Sequence, residues 1–186
     1  MMPRIVMVIL FVGTILLPRC NSVEADGGAE SVPVNIFKNS SFESFGKPSF
    51  DSWNALPGSS PLLSIEAVAP PTGGRYSLGL RDSYDDSPVV YQTAPARYGT
   101  HIYQLSLWFK GSLMNAAEIS WDIKNGDSSQ FVWGSRMQEN GWYFYSFRDT
   151  LTCTSHDSIR VVFWPQIYDD EEGIVYFDLV KVEIVQ

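Results

Sequence analysis

This chain of 186 residues has two cysteines, two histidines and 13 basic residues against 21 acidic ones. Each shortage removes a class of function. Cys20 falls in an N-terminal segment read below as an export signal, which leaves Cys153 without a partner and the fold without an internal disulfide. Cys153 itself reads as a small buried apolar residue. His101 and His156 are the only histidines, and no nucleophile elbow, zinc spacing or phosphate loop is present, so the chain reads as a non-enzyme. Glycoside hydrolysis needs only two carboxylates, but the abundance of Asp and Glu is no evidence of a placed pair. A formal charge of −8 repels phosphate backbones and anionic lipid, which makes nucleic acid a poor partner. A sustained helical period is missing throughout.

What is present begins with Arg4 ahead of an apolar run from Ile5 to Leu17, the length of a signal-peptide core and too short to span a bilayer. The expectation is an exported protein. Cleavage after Val23-Glu24-Ala25 makes residues 1–25 a signal peptide. It also removes Arg4, Arg19 and Glu24 from a count of 13 basic and 21 acidic residues, leaving a net charge of −9. The alternative is a lipid anchor through Cys20, for which the preceding Arg19 is a poor fit. Residues 26–33, with Gly27-Gly28, read as a flexible linker, and residues 34–186 as one domain long enough for an ordinary core.

That domain is a succession of short alternating, β-branched and aromatic runs separated by turn residues. Strands are expected at Val34–Lys38, Leu62–Ala67, Tyr76–Arg81, Val89–Thr93, His101–Lys110, Ala117–Lys124, Gln130–Trp133, Trp142–Asp149, Ser158–Trp164 and Ile174–Val185. Asn125-Gly126 is the best hairpin signal. A single sheet of this size would leave too much apolar surface in water, so the expected fold is all-β, a two-sheet antiparallel sandwich.

Alternation sorts the residues of each strand between two faces. Tyr103, Leu105, Leu107 and Phe109 oppose Gln104, Ser106, Trp108 and Lys110. Ile119, Trp121 and Ile123 oppose Glu118, Ser120, Asp122 and Lys124, and Ile159, Val161 and Phe163 oppose Arg160, Val162 and Trp164. If these three strands share one concave sheet, Gln104, Trp108, Asp122, Arg160 and Trp164 lie on one exposed surface. Flat aromatics beside amide, carboxylate and guanidinium groups suit a sugar, with its apolar C–H faces and ring of hydroxyls. The alternative is that Trp108 and Trp164 pack under loops or at a sheet edge. Trp53, Trp121 and Trp142 read as core.

Two acids interrupt apolar strand patterns near the ends of the domain, Glu43 after Phe42 and Asp178 between Phe177 and Leu179. A charge so placed is costly unless it is paired or bound to a metal. Calcium, with six to eight oxygen ligands, is one solution, the glycine-rich Gly73-Gly74-Arg75 loop adding carbonyls. Capping of a turn or pairing with an arginine is the other. The acidic loops 82–86 and 169–172 do not have EF-hand spacing and read as solvated, with Tyr84 and Tyr168 placed to flank a ligand. Asn39-Ser40-Ser41 is a glycosylation sequon.

The order Asn35-x-x-x-Asn39-x-x-Phe42-Glu43, Trp53, Gly74-x-x-Ser77-Leu78, Tyr91-Gln92, Tyr103-x-Leu105-Ser106-x-Trp108-x-Lys110, Trp142-x-x-Tyr145 and Phe177-Asp178-x-Val180-x-Val182-Glu183 resembles carbohydrate-binding modules of families four, nine and twenty-two. These are galactose-binding-like jelly rolls. The resemblance implies a secreted module that binds a polysaccharide or glycan. It also implies a structural calcium held by Glu43, the Gly74 carbonyl and Asp178. The alternative function on the same jelly roll is an extracellular protein-interaction or adhesion module.

Overall fold

The computed structural model describes residues 34–82, 88–111, 115–126, 128–137, 140–167 and 173–185. Residues 1–33, with the expected signal peptide and linker, the segments 83–87 and 168–172, and with them Tyr84 and Tyr168, lie outside the described residues.

A small hairpin pairs β1 (Glu43–Ser44) with β2 (Lys47–Pro48). It is followed by β3 (Asn54–Ala55), a 3-10 turn at Ser60–Leu62, β4 (Leu63–Glu66), β5 (Ser77–Asp82) and β6 (Val90–Pro95). The long strands are β7 (Gly99–Gly111), β8 (Asn115–Asn125), β9 (Ser128–Met137), β10 (Gly141–Cys153), β11 (Asp157–Ile167) and β12 (Gly173–Ile184). The first sheet runs β10-β7-β12-β5-β4 and the second β3-β6-β11-β8-β9. Every pairing of these strands is antiparallel, so the expected all-β sandwich is the observed fold.

Alternation explains the core. Tyr103, Leu105, Leu107 and Phe109 of β7 are fully buried, as are Val161 and Phe163 of β11, and Ile119 and Trp121 of β8 are nearly so. The rings of Phe163 and Phe177 stack with centroids 4.4 Å apart, joining the two sheets. Trp53 lies 5.7 Å from Phe163 and 5.0 Å from Phe42, carrying the aromatic contact on to the N-terminal segment. Its Nε1–H donates to the Asn39 carbonyl at 3.0 Å, as a buried indole requires. Trp53 and Trp121 are thus core, but Trp142 is not. The β10 register sets Trp142 opposite Lys110 on the outer row, and Tyr143, Tyr145 and Phe147 occupy the alternate row.

Val34–Lys38 makes no strand beyond a single bridge from Asn35 to Glu183. Beyond the Ile36 N–H, which donates to the Val182 carbonyl at 2.8 Å, side chains meet much of its polar backbone. Asn35 Oδ1 accepts from the N–H groups of Phe37 and Val182, and the buried Gln92 amide brackets Lys38 by accepting from its N–H at 2.8 Å and donating to its carbonyl at 3.0 Å. Asn39 is equally committed, since Nδ2 donates to the carbonyls of Ser49 at 2.8 Å and Asp51 at 3.0 Å. A glycan on that nitrogen would displace at least one of these contacts.

The hairpin signal at Asn125-Gly126 is realised, with Asn125 opposite Ser128 and Gly126 at φ +61°. A Cβ there meets nothing within 4 Å, so the only penalty for Gly126→Ala is backbone strain. The expected cost is about 1 kcal/mol, read as a lower urea midpoint at unchanged slope.

Candidate functional site

Two places concentrate polar chemistry that the core does not explain. The first is where the chain ends meet. Positive φ at Asn39 (49°) and Phe42 (54°) coils the chain so that the Phe42 ring enters the core and Glu43 faces the glycine loop. A Cβ on Gly74 would lie 2.5 Å from Glu43 Oε2, and one on Gly73 would lie 2.5 Å from Asp178 Oδ2. Both glycines are needed by the acids beside them.

Glu43 Oε1 accepts from the Arg75 N–H. Asp178 is fully buried at a bulge of β12, where the pairing with β7 steps from Asp178 to Lys181 and Leu179 takes φ +48°. Its Oδ1 accepts from the Leu179 N–H at 2.7 Å, and its Oδ2 is buried without a partner. The Asp178 carboxyl is raised to about 7, chiefly by burial, with the Leu179 N–H opposing the shift and nearby Glu43 adding to it. Neither a cap nor an arginine satisfies Oδ2. A buried carboxylate oxygen beside a second carboxylate is the local condition a cation relieves. Among the described residues no group of three His, Cys, Asp or Glu converges, so the donors on offer are two carboxylates and backbone carbonyls. This all-oxygen set fits a hard cation such as calcium and does not fit zinc.

The second place is the outer face of the second sheet. Trp164 on β11 lies opposite Glu118 on β8, and its Nε1–H donates to Glu118 Oε2 at 2.8 Å. Four residues along, Arg160 lies opposite Asp122, and its Nε donates to Asp122 Oδ2 at 3.0 Å, with a second, shorter contact from Nη2. Between the two pairs, Val162 and Ser120 form a low, nearly buried floor that Tyr91 of β6 extends. The strand rise sets Trp164 and Arg160 about 13 Å apart along the face. An indole held by a carboxylate, an apolar floor and a neutralised guanidinium–carboxylate pair can stack on a sugar face and bond its hydroxyls.

The five expected ligand residues do not share this surface. Asp122, Arg160 and Trp164 do, whereas Gln104 and Trp108 lie on β7, in the first sheet. The chain changes sheet between β7 and β8, so the alternation within each strand was read correctly and the sheet was not. On the first sheet's outer face Trp108 lies 5.5 Å from Phe144, and Gln104 Oε1 accepts from Arg148 Nε at 2.7 Å. Glu118 and Phe144 were missed as candidates. Alternation alone had set Glu118 on the wet side of β8, but only the β11 register brings it to Trp164.

No protein-family model matches the sequence, and no curated protein matches it. Solved structures do. A carbohydrate-binding module described as Family 16 Carbohydrate Binding Module-2 superposes at TM-score 0.60 and 19% identity over 80% of this chain and 99% of that one. TmCBM61, solved in complex with β-1,4-galactotriose, gives 0.55 at 16% identity over 80% and 97%. A bacteriophage CBA120 tailspike protein 4 enzymatically active domain gives 0.58 at 16% identity, with 81% of this chain covering 21% of that one. At these identities the likeness concerns the fold. The fold of this chain is the β-sandwich of carbohydrate-binding modules.

Proposed function

We propose that this chain is a secreted, non-catalytic carbohydrate-binding module with one structural calcium. The observation that carries the binding role is the Trp164–Glu118 and Arg160–Asp122 arrangement over the Val162–Ser120 floor. A neutral glycan suits it, because the Arg160 guanidinium is already paired with Asp122. TmCBM61, similar in fold, was solved with β-1,4-galactotriose, which makes galactan the first polymer to try.

Calcium is held by Glu43, Asp178 and the Gly74 carbonyl in this reading. The ion would supply positive charge against the two acids and tie the first hairpin to the last strand. Support comes from the partnerless Asp178 Oδ2 and from the space that Gly73 and Gly74 leave for the carboxylates. Secretion rests on the apolar run from Ile5 to Leu17 behind Arg4.

Affinity electrophoresis in gels containing galactan, xylan or mixed-linkage glucan, with and without chelator, tests the proposal. Retardation in one of them is the expected result, and no retardation in any gel of a broad panel overturns it. The protein-interaction alternative has one observation of its own. Phe45, at φ +52° on the tip of the first hairpin, is 103% exposed. A bulky residue held in the left-handed region with its ring in water is uncommon and suits a protein contact. Under the carbohydrate reading, Phe45→Ser leaves polysaccharide retardation unchanged.

A further inference from the structure

We propose that the outer face of the β10-β7-β12 sheet is a second saccharide-binding surface, opposite the Trp164 face, and that it takes an acidic, uronate-bearing glycan. It rests on the carbohydrate reading of the domain but not on the Trp164 face. The register places the residues in rows across the strands. Phe144 lies beside Trp108, Ser146 beside Ser106, and Arg148 beside Gln104. The Phe144 ring is 48% exposed, and its centroid lies 5.5 Å from that of Trp108 at an interplanar angle of 57°. Together they form an open aromatic corner.

Polar chemistry follows along the same strands. Gln104 Oε1 takes Arg148 Nε at 2.7 Å, which orients an exposed guanidinium whose Nη groups can form a bidentate pair with a carboxylate. Beyond this pair, a depression of about 510 Å³ has Ile102, Arg148, Asp149, Thr150 and Val185 as its described lining.

Charge distinguishes the two faces. The chain as a whole carries −8. Here, however, Lys110, Arg148 and Lys181 stand on the outer rows against Glu183. Other acids among the described residues nearby are held by neutral partners or buried. Asp178 is buried against Gly73, Glu66 accepts from the Tyr176 hydroxyl at 2.9 Å, and Asp149 Oδ1 accepts from the Thr150 N–H at 2.8 Å. Lys110 Nζ lies 5.3 Å from the Tyr176 ring centroid. On the Trp164 face Arg160 is neutralised by Asp122. A guanidinium oriented by the neutral Gln104 amide, beside an aromatic corner, matches a sugar that carries a carboxylate. The strand rise places the Phe144 row and the Arg148 row about 13 Å apart, more than one sugar ring covers, so an oligomer is needed. With a glycan on each face, a single domain would crosslink two chains.

The test is affinity electrophoresis of the full domain in polygalacturonate and in alginate, beside neutral galactan, xylan and glucan. The expected result is retardation by at least one polyuronate. Phe144→Ala and Arg148→Ala should each weaken it by about tenfold, Arg148→Lys should restore only part, and Trp164→Ala should leave it unchanged. Thermal melting confirms that each variant is folded, and Phe144→Leu serves if the alanine variant is not. Retardation by neutral polymers with none by either polyuronate overturns the second surface and spares the first. Sensitivity to Arg148→Ala without sensitivity to Phe144→Ala or Phe144→Leu marks simple ion exchange and also overturns it. Loss on Trp164→Ala means one face serves both ligands, and the proposal fails. Retardation by no polymer at all removes the carbohydrate reading itself.

Discussion

Asp178→Ala is expected to reverse sign between chelator and calcium. In chelator the variant should melt higher than the parent, because it removes a fully buried carboxylate whose Oδ2 has no donor. In calcium it should melt lower, because one of two converging carboxylates is gone and the ion no longer stabilises the folded state. Calcium at a hundred times its dissociation constant stabilises the parent by about 2.7 kcal/mol. For a domain of this size that is roughly 5–11 °C of melting temperature, and the variant should lose nearly all of it. Gly73→Ala should also lose the response, since its Cβ would sit 2.5 Å from Asp178 Oδ2 and nearby Pro70 limits any shift. Melting curves of parent and variants in chelator and in millimolar calcium settle the matter. Curves for Asp178→Ala that keep the same order in both buffers, or a parent unmoved by calcium, would remove the metal.

The second large effect belongs to Trp164→Ala. An indole that covers roughly 100 Å² of a sugar face contributes on the order of 2 kcal/mol. Its loss should weaken glycan retention by about thirtyfold. Stability should change by less than about 1 kcal/mol, because the ring lies on an outer face and Glu118 is left partly in water. Trp164→Phe keeps a flat ring but cannot donate to Glu118 Oε2, so an intermediate loss is expected. Asp122→Ala should weaken binding through Arg160, which loses the partner that orients it. Isothermal titration with the retained oligosaccharide, run beside thermal melts, separates these effects. A fall of many degrees in both Trp164 variants would make the residue structural, and normal binding by Trp164→Ala would empty the face of its role.

The two predictions draw on different kinds of information. Glu43 and Asp178 stand out locally, each an acid inside an apolar run, with Gly73-Gly74 as a loop that can supply carbonyls. The structure sets Glu43 against Gly74 and Asp178 against Gly73, and leaves Asp178 Oδ2 without a partner. The binding face was legible only within each strand. Side chains of a strand alternate with a period of two residues, so Leu105 against Gln104 or Val161 against Arg160 can be read from neighbouring letters.

Pairing is different, because it depends on segments far apart in the chain. Nothing local to β7 states that it lies between β10 and β12 while the next strand joins β11. Strand-by-strand alternation therefore sets Gln104 and Trp108 with Arg160 although the core lies between them, and Trp142 inside although the β10 register turns it outward. The sequence by itself determined the class of fold and the inward sides of β7, β8 and β11. Only the tertiary structure decided which outer residues are neighbours, because which strands pair, and in which register, is settled by burial of the whole core.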